Sequence, residues 1–222
     1  MNWHNMLYSL PGIIIGLTVH EYCHGFAAYK LGDHTAREQG RLSLNPLRHI
    51  DLIGFFFIIF AGFGWAKPVQ FNPENLKHPR RDKAIIAAAG PLSNLLLALV
   101  MLAFIKGWLT LFTSATTPSG EKHFVAFLYS DLFVDFIEGL FRAVMINLGL
   151  FIFNLVPLPP LDGSHIVFSG LNLRPETERT IMKIGAPLLF IILILQNRTH
   201  ITILPIGILT SAIIKFFLPH LG

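Results

Sequence analysis

The sequence is short of cysteine and of charge, and each shortage removes a class of protein. Cys23 is the only cysteine, which excludes an intramolecular disulfide framework and any multi-cysteine metal site. Its plain role is that of a small apolar filler. Only 14% of the residues are charged, against about 25% in an average soluble domain. Internal repeats and low-complexity tracts are absent. So is a basic N-terminal run followed by a short apolar stretch and a small-residue cleavage site, so no removable signal peptide is expected. What fills the sequence instead is apolar. Of its 222 residues 53% are hydrophobic and the mean hydropathy is +0.58, so the apolar segments are expected to remain as membrane spans of a single unit. The 17 Lys and Arg exceed the 13 Asp and Glu, but in so apolar a chain this imbalance reads as membrane topology rather than as nucleic-acid binding.

Apolar segments lie at about 6–29, 52–65, 84–106, 132–156 and 181–219, the last divided by Gln196-Asn197-Arg198-Thr199-His200. Most approach the roughly 20 residues that a helical span requires. The 52–65 segment is short and reads as a re-entrant element or a tilted span. Thr113–Lys122 clusters Ser, Thr, Pro and Gly and reads as an exposed loop. Arg41–Pro46 alternates polar and apolar residues and Lys67–Asn72 does so in part; each reads as a short strand or as an ordinary loop. The expected fold is an all-α polytopic membrane protein of five or six membrane segments, with a short re-entrant or β-like element between the first core spans. The expected organisation is one integral-membrane domain over 1–222, with a core at 7–165 and a C-terminal helical hairpin at 176–219.

Basic residues orient the chain. Lys30, Arg37, Arg41, Arg48, Lys67, Lys77, Arg80, Arg81 and Lys83 crowd into 30–83, and Arg174, Arg179 and Lys183 into 174–183. Lys122 stands alone in 107–131, as Arg198 does in 196–200. The positive-inside rule then puts 30–83 and 170–183 on the cytoplasmic side of a multi-pass cell-membrane protein.

Against that apolar background the stretch His20-Glu21-Tyr22-Cys23-His24 is out of place. In a helix the two histidines stand one turn apart on one face. So placed they can hold zinc, with Glu21 beside them to take a proton from metal-bound water. The alternative is a buried polar patch without metal, but ionisable groups at membrane depth are expensive and point to function. A catalytic zinc needs a third protein ligand. Position 30 is Lys, so no further histidine follows at metzincin spacing, and the candidate acids are Glu38, Asp51 and Asp162. Asp162 is favoured, because Leu155-Val156-Pro157-Leu158-Pro159-Pro160-Leu161-Asp162-Gly163 delivers it from the end of an apolar helix that the prolines break, with Gly163 leaving the backbone free to turn. The other reading of Asp162 is a helix cap.

These motifs together resemble the site-2 protease family of intramembrane zinc metalloproteases. His20–His24 matches its zinc motif, and Asn154 through Gly163 its asparagine-to-Leu-Asp-Gly motif. Ala89-Gly90-Pro91-Leu92-Ser93-Asn94 matches a further pattern, and Gly40–Pro46 and Gly64–Asn72 the segments between the first two core spans. The resemblance covers about 7–165. With no room for a PDZ insertion or a CBS pair, the chain is similar to the minimal members. The resemblance implies Zn2+ held by His20, His24 and Asp162, with Glu21 as general base. It also implies that Asn94 and Asn154 hold substrate backbone or the oxyanion, and interhelical hydrogen bonding is the structural alternative for both. Gly90 and Pro91 are expected to serve a kink or close packing. His165 is expected to be a polar loop residue, or to support the metal from behind.

The implied partners are transmembrane protein substrates and the lipid bilayer, without nucleic acid, and the active site is expected toward the cytoplasm. Because a helix hides its amides, a substrate must unwind, and the extended stretches at 41–45 and 67–72 offer edges for it. A transporter or permease with a His-carboxylate metal site is the alternative, as is a catalytically silent scaffold. A permease has no need of Glu21, however, and no half of the sequence repeats.

Overall fold

The computed structural model describes residues 3–61, 64–115, 130–171, 173–199 and 202–219. These form α1 (Trp3–Lys30), α2 (Thr35–Glu38), α3 (Leu52–Ala61), α4 (Pro79–Ala115), α5 (Asp131–Asn154), α6 (Asp162–Leu171), α7 (Pro175–Thr199) and α8 (Ile206–Phe217). Each apolar segment of the sequence thus carries at least one helix. Of the expected 113–122 loop, 113–115 belong to the end of α4 and the rest lies outside the described residues.

Length and composition separate the helices. Of the described helices, α4 and α5 are long and apolar enough to cross a membrane. The 28 residues of α1 give it a reach of about 42 Å, but its polar motif interrupts the apolar run. The 10 residues of α3 cover only about 15 Å, half of the roughly 30 Å hydrocarbon core. The 12 residues of α8 reach about 18 Å. α4 starts where its sequence says it should, with Pro79 in the first turn and the Asp82 carboxylate accepting the His78 N–H at 2.9 Å. α1 ends at Lys30, and two residues on Gly32 has a φ of +105°, which a residue with a Cβ adopts at a cost.

α1, α4 and α5 form the centre, and small residues let their backbones approach. A methyl at Gly12 would sit 2.8 Å from the Ala143 Cβ, and one at Gly16 would sit 2.8 Å from Asn147 Oδ1, so α1 lies tightly on α5. The core joins Ala98, Leu102 and Ile105 of α4 to Val144 and Leu148 of α5 and Ile214 of α8. The opposite face of α4 carries Leu92, Leu96, Val100 and Phe104 at helical spacing, each more than half exposed. A continuous apolar stripe of this kind is unfavourable in water and suited to lipid.

Of the two readings of 41–46 and 67–72, short strand or ordinary loop, the structure has the loop. Among the described residues no strand is present, and the one isolated antiparallel bridge, Ile50–Ala66, lies outside both stretches. The reason lies in Arg41, whose guanidinium donates to the carbonyls of Arg48, Lys67 and Pro68. A side chain occupies the acceptors that a ladder would have used.

Candidate metal centre

His20 and His24 project from α1 toward α4, which presents Gly90 at the crossing. A methyl at Gly90 would lie 2.7 Å from His20 Cε1 and closer still to His24 Nε2. Close packing, one of the two expectations for this glycine, is therefore what it provides: only hydrogen leaves space for both rings. Asp162 arrives from the other side. After α5 the chain passes Pro157, Pro159 and Pro160 and begins α6 at Asp162. Gly163 is required here for space rather than for turning. Its φ is not left-handed, and a methyl there would collide with the Leu155 and Val156 carbonyls. Its bare backbone lets α6 start directly against the end of α5.

The ligand atoms of His20, His24 and Asp162 lie within 4.8 Å of one another. Asp162 Oδ2 is 3.2 Å from His20 Nε2 and 3.3 Å from His24 Nε2, and the two Nε2 atoms are 3.0 Å apart. The tautomers follow from the other ring nitrogens. His24 Nδ1 is 2.7 Å from the Ile86 carbonyl and must donate to it. His20 Nδ1 is 2.6 Å from Asn94 Oδ1. The Asn94 amide is fixed in that sense because its Nδ2 donates to the Gly16 carbonyl at 3.0 Å and to Asn147 Oδ1 at 2.9 Å. In their neutral forms both rings therefore turn an Nε2 lone pair inward, where they meet a buried carboxylate oxygen that has no hydrogen-bond partner. Three acceptors with no donor between them call for a positive charge, which a proton on one imidazole or a metal ion supplies. Two neutral imidazoles and a carboxylate, each imidazole tied at its far nitrogen, suit zinc with one position open.

Glu21 is 92% buried and accepts the Val69 N–H at 2.8 Å. It shares with His20, His24 and Asp162 a cavity of about 460 Å3, also lined by Val69, Lys83, Asn154 and His165. Asn154 reaches that cavity while donating to the Leu150 carbonyl at 3.0 Å. Asn94 does not line it. It is fully buried, its oxygen accepts from His20 and both its amide hydrogens are used, so no polar atom is left for a substrate. His165 lies on α6, one turn after Asp162, rather than in a loop. Glu38 and Asp51 are outside the group that brings His20, His24 and Asp162 together.

Sequence reading missed Asn147, Arg41 and the Val69 N–H. Asn147 is completely buried, donating to the Ala143 carbonyl while it receives from Asn94. An asparagine in the middle of an apolar span was its only signal. The Val69 amide has no signal at all, since every residue but proline carries one.

Two histidines one turn apart, an adjoining glutamate and a converging carboxylate define a centre of the zinc-metalloprotease class. The chain belongs to Peptidase family M50, whose model matches residues 8–195; this is the site-2 protease family, and the protein is a zinc-dependent metalloprotease. It is 41% identical over 163 residues to "Putative zinc metalloprotease YwhC" of Bacillus subtilis, covering 73% of this chain and 68% of that protein. It is 27% identical to "Putative zinc metalloprotease Rip2" of Mycolicibacterium smegmatis over 177 residues, and to its namesake in Mycobacterium tuberculosis over 180. Each of these matches covers 78% of this chain and 60% of the relative. No solved structure matches. Family membership favours the protease over the permease.

Proposed function

We propose that this protein is an intramembrane protease that hydrolyses peptide bonds in or near transmembrane segments of membrane proteins, with zinc held by His20, His24 and Asp162. The observation that carries the reading is the convergence of two imidazole lone pairs on an orphaned carboxylate oxygen, in one cavity with Glu21. When bound, zinc supplies Lewis acidity to a substrate carbonyl and lowers the pKa of water to about 7. Glu21 accepts the proton of the attacking water and delivers it to the leaving amine, so the peptide bond is exchanged for a carboxylate and an amine. Asn94 holds His20 in the tautomer that faces the metal. Asn154, inside the cavity, holds substrate backbone or the developing oxyanion.

The whole chain is read as one membrane domain, with α1, α4 and α5 as core spans, α3 as a re-entrant element, and α7 and α8 completing five or six segments. The distribution of basic residues supports a multi-pass cell-membrane protein whose cavity faces the cytoplasm.

The decisive variant is Glu21→Gln, which keeps shape and hydrogen bonding but cannot take a proton. Zinc is expected to stay near stoichiometric while cleavage of a single-span substrate in detergent, read by mass spectrometry, falls by roughly 10²–10⁴-fold. Equal cleavage by the two proteins overturns the reading.

A further inference from the structure

Glu21 is held through a single peptide group, and that group is held in turn by a buried cation. The Val69 N–H donates to Glu21 Oε2 at 2.8 Å. The carbonyl of the same peptide unit, that of Pro68, accepts from Arg41 Nη2 at 3.2 Å. Guanidinium, peptide and carboxylate therefore stand in series, with the peptide dipole pointing its positive end at the negative charge. Arg41 is 93% buried and, among the described residues, makes no ion pair within 4 Å of a carboxylate. Its remaining hydrogen bonds go to the carbonyls of Arg48 and Lys67. Three residues further on, the Asn72 N–H is fixed by Asp33 Oδ2 at 3.0 Å, and Asn75 Nδ2 by Asp33 Oδ1 at 2.7 Å. The stretch that carries Val69 is thus tied on both sides.

We propose that Arg41 is a positioning residue for the proposed general base, acting on Glu21 through the Pro68–Val69 peptide group; the inference rests on the role given to Glu21 above. A guanidinium in direct contact with Glu21 would occupy the oxygens that must receive a proton. Placed one peptide away, it polarises the Val69 N–H, strengthens the bond to Oε2 and leaves Oε1 for water. The fork geometry explains the choice of arginine. A lysine ammonium is a point charge and cannot serve three carbonyls set at fixed angles.

The test is a cycle of variants on the full-length, zinc-loaded protein with a single-span substrate. One variant is Arg41→Lys. The second replaces the 68–69 amide by an ester, introduced as the α-hydroxy analogue of valine at position 69. The ester removes the N–H and weakens the Pro68 carbonyl as an acceptor for Arg41, keeps the side chain, and serves where Arg41→Lys does not fold. Each is expected to lower kcat roughly 10–100-fold, the size of effect typical of lost orienting partners, with KM and zinc content unchanged. Introduced into Glu21→Gln, neither is expected to lower the residual rate further, because each acts through the carboxylate that is already gone. A structural role would reduce both backgrounds alike. The carboxylate stretch of Glu21, isolated by infrared difference against Glu21→Gln, is expected to shift in the ester protein. Wild-type kcat in the ester protein, or an equal loss in both backgrounds, overturns the proposal. If Glu21→Gln itself cleaves like wild type, the fault lies instead with the general-base reading.

Discussion

Asn94 shows how one amide sets the chemistry of a residue it does not replace. Its oxygen fixes the hydrogen of His20 on Nδ1 and so frees Nε2, while Gly16 and Asn147 fix the amide itself. Asn94→Ala removes the acceptor and is expected to weaken zinc binding by roughly 10–100-fold, measured by competition with a chromophoric chelator. Unchanged affinity would mean that His20 keeps its tautomer without help. Gly90→Ala is a sharper case because two effects oppose. Alanine favours a helix over glycine by about 1 kcal/mol, yet the new methyl would sit among the imidazoles. The expected outcome is a protein that folds but holds little zinc by metal analysis. Full occupancy would show that α1 and α4 can separate at no penalty.

At the scale of elements, the link between α1 and α4 depends on Asp33. Its carboxylate is fully buried. Burial pushes its pKa up, but hydrogen bonds from the Thr35 hydroxyl, the Asn75 amide and the backbone N–H of Asn72 and Thr35 outweigh burial and hold it below the ordinary 3.8. A folded-state value below the unfolded one means that the stabilisation is present above 3.8 and is lost as pH falls through the folded value. Asp33→Asn is therefore expected to destabilise the link by roughly 1–3 kcal/mol at neutral pH, through donors left without an anionic acceptor. The gap to wild type should close in acid. Limited proteolysis of 67–75 as a function of pH reads this directly, and a gap that persists unchanged in acid would exclude the carboxylate charge as its source.

For the whole molecule the question is which way the cavity faces. Lys77, Arg80 and Arg81 precede the apolar part of α4, whereas 107–131 holds only Lys122. Cysteines placed singly in 113–121 or 76–80, on a Cys23→Ser background, separate the two sides. A membrane-impermeant maleimide added to intact cells is expected to label the first set and spare the second. The reverse pattern would put the cavity on the outside. The exposed stripe from Leu92 to Phe104 belongs to the same scale, since it is unfavourable in water and suited to an apolar surrounding.

The sequence alone determined the helical class, the residue types proposed to hold metal and the sidedness expected of the chain. Each of these depends on composition or on spacing within a few residues: apolar length sets a helix, and i to i+4 spacing sets a shared face. It also singled out Asp162, from the proline-broken end of an apolar helix, and the asparagines, through motifs that match a family. Only the tertiary structure decided what lies between segments distant in sequence. It turned Asn94 away from the cavity, gave the Val69 amide to Glu21, and decided between strand and loop at 67–72 by gathering carbonyls on Arg41. The placement of Asn94 and of the two histidines depends on how closely α1, α4 and α5 approach at Gly12, Gly16 and Gly90. That distance comes from packing three helices together, and no local pattern along one of them contains it.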